Sequence, residues 1–272
     1  MKKVIIAFDG IHYSDGAFEF ARRLNQLRAI FLTAVFVPQA EVPAWSYAEG
    51  DSQGYIPLLE GTRSDVIERN IQDFEQQCKE NNIQYSIHRD FNGYAITELK
   101  RESLYADLLL IATELFYSTR DAEIPNVYLK KLLHDVKCSV ILIPETFKFP
   151  ERIVIGYDGS ENSVFALKQF AYVLPELTQL KTSIVSIGIK KNKSLSDDKQ
   201  LIELAERHFS DYSIERLDLI SKTFFGAWLA ELKSVLFVCG SYGRSAFTRL
   251  IRKSFADSVI REYALPIFIS HL

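Results

Sequence analysis

The chain has 272 residues, and because a typical domain has roughly 100–200 residues, this length favours two domains over one. Its residues are 47% hydrophobic, 12% aromatic and 25% charged, which is ordinary for a globular protein and argues against disorder or a fibrous repeat. The 32 basic and 35 acidic residues give a net charge of −3. The overall charge therefore gives no reason to expect nucleic acid or an anionic membrane as a partner.

The cysteines and the apolar runs favour a cytoplasmic protein. Cys78, Cys138 and Cys239 are an odd number with no C-x-x-C spacing, a pattern that suggests neither a disulfide framework nor a thiolate zinc site. The N-terminal apolar run, residues 4–8, is far too short for the core of a signal peptide. No apolar run approaches the roughly 18–20 residues that span a bilayer. We therefore expect a soluble chain with no membrane partner.

An internal repeat is the most informative feature of the sequence. KKVIIAFDG at residues 2–10 returns as ERIVIGYDG at residues 151–159, which makes Asp9 and Asp158 equivalent. Each run ends in Asp-Gly and leads through a polar turn, which contains Ser14 or Ser163, into a segment with apolar residues three and four positions apart. This spacing predicts a helix. The apolar positions are Ala17, Phe20, Ala21, Leu24 and Leu27 in the first copy, and Ala166, Leu167, Phe170, Ala171 and Leu174 in the second.

The repeat continues to the end of each copy, and its runs without alternation indicate strands that are covered on both faces. The matching pairs of segments are 29–37 with 182–189, 91–96 with 224–229, 108–112 with 235–239, and 139–143 with 266–270. Strands that alternate with helices imply a parallel sheet with right-handed crossovers. We predict two tandem doubly wound α/β domains, 1–144 and 151–272, joined by a segment bracketed by prolines.

The first copy is longer because of an insertion at residues 38–65, which is rich in proline and glycine and so is predicted to be mostly loop. Trp45, Tyr47 and Tyr55 lie within it. The insertion is either a lid or interface packed by these aromatic side chains, or an irregular surface loop.

The strand ends of the second copy are the candidate binding site, because ligands of open parallel sheets bind beyond the carboxyl ends of the strands. Asp158 and Gly159 follow the first strand, Ile187 lies near the end of the second, and a glycine turn follows the fourth. That turn and the start of the next predicted helix contain Gly240, Ser241, Gly243, Arg244, Arg249, Arg252, Lys253 and Ser254. Glycines, a helix N-terminus and cations together favour a phosphate; a tight turn before a solvated basic helix is the alternative.

The run GSYGRSAFTRLIRKSFADSVIRE resembles the universal stress protein signature G-x-x-G-x9-G-[ST], and DGSENS at residues 158–163 resembles the opening motif of that family. The resemblance covers nearly the whole chain as two copies. It implies Rossmann-like five-stranded sheets of order 3-2-1-4-5, domains that pair through their last strands, and a regulatory protein that binds ATP, ADP or AMP, with Mg²⁺ as a companion ion. The two halves would then pair within one chain, and a homodimer remains open.

The resemblance also assigns roles to residues of the second copy. Gly240, Gly243 and Ser254 match the phosphate-contacting positions, in a loop that includes Ser241, Arg244 and Lys253. Asp158, followed by Gly159, matches the acidic position near the nucleoside, and the backbone near Ile187 matches the adenine contact. Lys253 stands where the family has a third glycine, so its side chain either blocks a phosphate oxygen or contacts it.

The first copy departs further from the motif, with Thr113, Phe116 and the pair Asn126-Val127 at the phosphate positions. We expect Phe116 and Tyr117 to fill the space that phosphates need, and this half to be a structural or dimerising partner. Asp9 is then a turn or capping residue.

Other classes of site find little support, because the histidines lack ligand spacing and there is no P-loop, Rossmann glycine motif or G-x-S-x-G elbow. We expect a cytoplasmic regulator with no catalytic residues. The alternatives are an interaction module that binds no nucleotide and, with less support, a slow ATPase.

Overall fold

The computed structural model describes residues 1–38, 64–89, 95–118, 126–187, 196–217, 228–229, 231–232, 234–240 and 265–272. The chain divides into two compact units, Met1–Glu145 and Thr146–Leu272. Among the helices within these ranges, none combines the length and the apolar character that a membrane crossing requires. Residues 39–63 of the predicted insertion, with its three aromatic residues, lie outside the described residues, as does the predicted basic loop from Ser241 to Ser254. Ser64 and Asp65, at the end of the insertion, begin a helix.

The first unit alternates strands and helices throughout. Its elements are β1 (Lys2–Phe8), α1 (Asp15–Leu27), β2 (Ile30–Phe36), α2 (Ser64–Glu80), β3 (Gln84–His88), α3 (Ala95–Ser103), β4 (Leu108–Ala112), α4 (Val127–Asp135) and β5 (Ser139–Ile143). The strands are parallel and lie in the order β3-β2-β1-β4-β5. All residues of β4 and β5 are buried, whereas the edge strand β3 is partly exposed. Continuous apolar runs thus form the strands that helices cover on both faces.

Helix α1 starts at a well-defined cap. Ser14 accepts a hydrogen bond from the N–H of Ala17 at 3.0 Å and donates its own hydroxyl to Glu145 at 2.7 Å. The other carboxylate oxygen of Glu145 accepts from the N–H groups of Asp15 and Gly16 at 2.9 and 3.2 Å. A carboxylate at a helix N-terminus satisfies unpaired N–H groups and interacts favourably with the helix dipole. Glu145 therefore fixes the start of α1 from the far end of the first unit.

The apolar face of α1 is largely the predicted one. Ala17, Phe20, Ala21 and Leu24 are buried. Leu27 lies in the predicted helix, but its side chain is 51% exposed. Leu27 is the last residue of the helix and Arg28 after it is extended, so the chain leaves the helix before the side chain reaches the core.

The second unit follows the same plan. Its described elements are β6 (Arg152–Gly156), α5 (Glu161–Val173), a 3-10 turn (Pro175–Leu177), β7 (Lys181–Ile187), α6 (Ser196–His208), β8 (Tyr212–Leu217), β9 (Val235–Cys239) and β10 (Ile267–Ile269). They form a parallel sheet in the order β10-β9-β6-β7-β8. The predicted doubly wound α/β class is confirmed. The apolar positions predicted for the first helix of this unit are all buried: Ala166, Leu167, Phe170, Ala171 and Leu174.

The three cysteines are free thiols. Cys239 is buried in strand β9, one of the apolar runs that the sequence predicts to be covered on both faces. Burial raises the pKa of the thiols of Cys78, Cys138 and Cys239 to about 12. They are therefore protonated at neutral pH and are poor nucleophiles.

Candidate functional site

Each unit has one point where the strand order reverses, and ligands of doubly wound sheets bind beyond the carboxyl ends of the strands at such a point. In the first unit β1 pairs with β2 and β4, and in the second β6 pairs with β7 and β9. We call residues 9–14, 37–38 and 113–118 the first site. We call residues 157–160, Ile187 and Gly240 the second site.

In the first site, Asp9 organises the loop between β1 and α1. It is 1% exposed, and one carboxylate oxygen accepts from the N–H groups of Ile11 and His12 at 3.0 and 2.8 Å. The other oxygen lies 2.8 Å from Nδ1 of His12, and since a carboxylate only accepts, this nitrogen carries the proton. This hydrogen bond raises the pKa of His12, although burial acts in the opposite direction. Asp9 is thus a turn residue, and the cap of α1 is Ser14.

Tyr117 closes the first site from the loop after β4. Its N–H donates to the same oxygen of Asp9 at 3.0 Å, and its hydroxyl donates to the backbone carbonyl of Val37 at 2.8 Å. The side chain is fully buried and the backbone lies in the left-handed region, with φ +56°. Phe116, also buried, accepts at its carbonyl from the side chain of Asn126, which caps α4. Both aromatic side chains therefore lie inside the fold and not at its surface.

Two further contacts enclose the same loop. The side-chain amide of Asn70, on α2, donates to the carbonyls of Gly10 and Ile11, both at 3.2 Å. Gly10 has φ +85°, and a Cβ added there would lie 2.9 Å from the Cβ of Pro38. A side chain at position 10 would be strained and crowded at once. The first site is thus sealed by groups of the chain itself.

The second site has a shorter and more open loop. Asp158 is only partly buried and accepts from the N–H of Ser160 at 3.0 Å. Gly159 is exposed, with φ +74°, and a Cβ added there would meet no atom of the described residues within 4 Å. Ser160 caps α5 by accepting from the N–H of Ser163. The prediction that Ser163 lies in the turn is therefore wrong: Ser163 lies in the first turn of α5, because the second loop is three residues shorter than the first.

Gly240 has a structural role that the sequence analysis missed. A Cβ added at Gly240 would lie 2.3 Å from the carbonyl oxygen of Asn162 and 2.6 Å from the N–H nitrogen of Ser163. The end of β9 therefore packs directly on the first turn of α5, which only glycine permits. Thr113 is the equivalent residue of the first unit, where its hydroxyl is buried and, within the described residues, makes no hydrogen bond.

The remaining predicted site residues divide into two groups. Four of them lie at the ends of neighbouring parallel strands: Asp158, Gly159, Ile187 and Gly240. The structure therefore brings these four together at the carboxyl ends of the strands of the second sheet. The others lie outside the described residues: Ser241, Gly243, Arg244, Lys253 and Ser254. Within the ranges that the structure describes, no group of three or more His, Cys, Asp or Glu side chains is placed to hold a metal ion.

Solved structures place this architecture among known folds. A universal stress protein from Archaeoglobus fulgidus DSM 4304 is similar over 99% of this chain and 96% of its own, with a TM-score of 0.71 at 16% sequence identity. This chain has the universal stress protein fold. A functionally unknown protein from Pseudomonas aeruginosa PAO1 is similar over 100% of this chain and 92% of its own, with a TM-score of 0.58 at 12% identity. No protein-family model and no curated protein matches the sequence significantly.

The resemblance drawn from the sequence is thus confirmed for the fold, and the near-complete coverage of both chains fits a tandem form of the universal stress protein fold. Sequence reasoning missed His12 and Asn70 as parts of the first site. The extra residues between Asp9 and Ser14 were a signal for His12, because an Asp-x-x-His loop can fold back on its own carboxylate. Nothing in the sequence pointed to Asn70, which lies far from the loop in the chain and contacts only its backbone.

Proposed function

We propose that this chain is a tandem universal stress protein whose second unit binds an adenine nucleotide at the second site and acts as a regulator, not as an enzyme. One observation carries the proposal: among the described residues no atom lies within 4 Å of a Cβ added at Gly159, whereas Pro38, Asn70 and Tyr117 enclose the first site. The two loops begin with the same Asp-Gly pair, so the difference lies in what surrounds them.

The groups of the second site suit the parts of a nucleoside. The carboxylate of Asp158 is partly exposed and can accept hydrogen bonds from ribose hydroxyls. The backbone near Ile187 lies at the end of the neighbouring strand β7 and would offer its polar groups to the edge of the adenine ring. We assign the phosphates to Gly240, Ser241, Gly243, Arg244, Lys253 and Ser254 on the strength of the sequence motif.

Gly240 has a packing role that must be separated from its proposed contact with phosphate. Its close contact with Asn162 explains the glycine without any ligand, so a substitution at Gly240 would disturb the fold and any phosphate contact together. Gly243 is the better position for a test of phosphate binding. For Mg²⁺, the described residues offer no acidic cluster, so this ion would be held chiefly by the phosphates of the nucleotide.

The same proposal includes domains at 1–144 and 151–272 and a location in the cytoplasm. The three free cysteines support that location, because reduced thiols are typical of a reducing compartment.

The test is isothermal titration of the full chain with ATP, ADP and AMP, each with and without Mg²⁺. We expect saturable binding of at least one of them at no more than one per chain. Asp158→Asn should weaken it at least about tenfold, equivalent to about 1.4 kcal/mol, and Gly243→Leu should abolish it. Neither change should alter the unfolding midpoint by more than about 2 °C. Absence of binding of all three nucleotides at millimolar concentration would contradict the proposal.

A second candidate is an interaction module that binds no nucleotide, which the sealed first site favours because one half already lacks space for a ligand. Mass spectrometry of small molecules released from the denatured protein separates the two. A copurified nucleotide supports the regulator, whereas an empty protein that forms stable assemblies in light scattering supports the interaction module.

A further inference from the structure

Tyr117 is held in the first site in the way that a protein holds a small aromatic ligand. Its ring is fully buried, and its hydroxyl makes a hydrogen bond of 2.8 Å to the carbonyl of Val37. The ring of Tyr128, on α4, meets it edge to face at 5.6 Å between centroids. A flat ring, an aromatic wall and one polar contact at the far end are the features of a built pocket for a small aromatic molecule.

The carbonyl that Tyr117 uses has a counterpart in the second site. Val35 pairs with Ala7 in the first sheet, and Val185 pairs with Gly156 in the second. Since Ala7 and Gly156 both lie two residues before the aspartate, Val37 and Ile187 occupy equivalent positions. Tyr117 thus occupies the point of its own sheet where a ligand of the second sheet would contact the backbone.

The backbone does not favour this placement by itself. Tyr117 has φ +56°, a conformation that costs a bulky residue energy and that glycine adopts freely. The contacts of the ring, together with the bond from its N–H to Asp9, must therefore hold it there. If the side chain of Tyr117 were removed, the backbone N–H of residue 117 would still be there to donate to Asp9. The carbonyl of Val37 would lose the hydroxyl that donates to it.

We propose that the first site is a pocket for an uncharged aromatic ring with a hydrogen-bond donor on its rim, and that Tyr117 is its permanent intramolecular ligand. Loss of this side chain leaves a cavity of the size of a phenol, with one buried carbonyl that needs a donor. Phenols are the class of free ligand that fits. The inference does not depend on nucleotide binding at the second site.

The experiment replaces Tyr117 with glycine in the full chain and adds 4-methylphenol or toluene, which differ by the hydroxyl group. We expect 4-methylphenol to raise the unfolding temperature of Tyr117→Gly by several degrees and toluene to raise it by clearly less, with no effect of either on the wild type. The matched control is Phe170→Ala, which removes another fully buried ring. There toluene should stabilise the protein at least as well as 4-methylphenol. In an apolar cavity the hydroxyl of 4-methylphenol would lose its hydrogen bonds to water without replacing them.

Two results would overturn the proposal: no stabilisation of Tyr117→Gly by 4-methylphenol, or equal stabilisation by both compounds. If Tyr117→Gly does not fold, Tyr117→Phe decides, because it keeps the ring and removes only the hydroxyl. We expect this variant to unfold a few degrees below the wild type, and an unchanged midpoint would show that the contact with Val37 does not hold the ring. Tyr117→Ala should be less stable than Tyr117→Gly, since only glycine relieves the left-handed backbone.

Discussion

The first and second sites begin from the same Asp-Gly pair, at the same point of two sheets with the same strand order, and the contacts of their described residues differ beyond it. In the first site the carboxylate of Asp9 is fully engaged by the chain, and Tyr117 occupies the space beside it. In the second site Asp158 is partly exposed, and Gly159 is exposed with no described atom within 4 Å of an added Cβ. The strand order is the same in both units, whereas a longer loop, Asn70 and Tyr117 enclose the carboxylate of Asp9 in the first site.

The largest effect should come from the contact between β9 and α5. Gly240→Ala places a Cβ only 2.3 Å from the carbonyl oxygen of Asn162, and we expect it to lower the free energy of unfolding by at least about 3 kcal/mol. Gly159→Ala is the matched control, with a cost of about 1 kcal/mol because, among the described residues, nothing but its positive φ opposes a side chain. Urea unfolding of both variants measures the difference, and equal losses would show that the close contact is not rigid.

The next largest effect should separate the two aspartates. Asp9→Asn leaves an amide opposite four hydrogen-bond donors, and we expect it to cost about 2–3 kcal/mol of stability. Asp158→Asn should cost less than about 1 kcal/mol, because its carboxylate is partly solvated. Denaturant unfolding of the two variants at neutral pH provides the measurement. A larger loss of stability in Asp158→Asn than in Asp9→Asn would contradict the claim that the chain engages Asp9 more fully than Asp158.

The first site should make the stability of the protein depend on pH through His12. The pKa of His12 is raised in the folded state by its bond to Asp9. The bond between protonated His12 and Asp9 therefore contributes its full stability below about pH 6.5, the ordinary pKa of this side chain. The contribution is lost as the pH rises through the raised pKa of the folded state. The stability difference between wild type and His12→Gln should be larger at about pH 5.5 than at about pH 8.5. Thermal unfolding at both pH values measures it, and a difference that grows with pH would contradict the assigned bond.

The smallest effect should come from Thr113. Its buried hydroxyl makes no hydrogen bond within the described residues, so the nearly isosteric change Thr113→Val should be neutral or should stabilise the fold by up to about 1 kcal/mol. Thr113→Ala controls for the methyl group and should be less stable than the valine variant. A loss of more than about 1 kcal/mol in Thr113→Val would indicate a partner for the hydroxyl.

Much of the fold could be predicted because the signals are local. Continuous apolar runs gave the bounds of β4, β5 and β9, and the helical spacing gave the buried face of α5. The ends of helices were harder to predict. Leu27 fits the helical spacing and yet is exposed, because the spacing does not mark where the helix stops.

The site was harder to predict, because its contacts join residues that are distant in the chain. The bond between Tyr117 and Val37 depends on one left-handed backbone angle, and tyrosine gives no sequence signal for such an angle. Gly240 was recognised as a required glycine, but its close contact with Asn162 is a second reason for the residue that the motif did not reveal.

The position of Glu145 has a practical consequence for dividing the chain. Its carboxylate holds the first N–H groups of α1, although it is the last residue of the first unit. A fragment that stopped at the predicted bound, residue 144, would leave those groups to water and would start its first helix poorly. Anyone who wishes to study the amino-terminal half alone should therefore retain Glu145 and a few residues beyond it, so that a new chain end does not lie next to the cap.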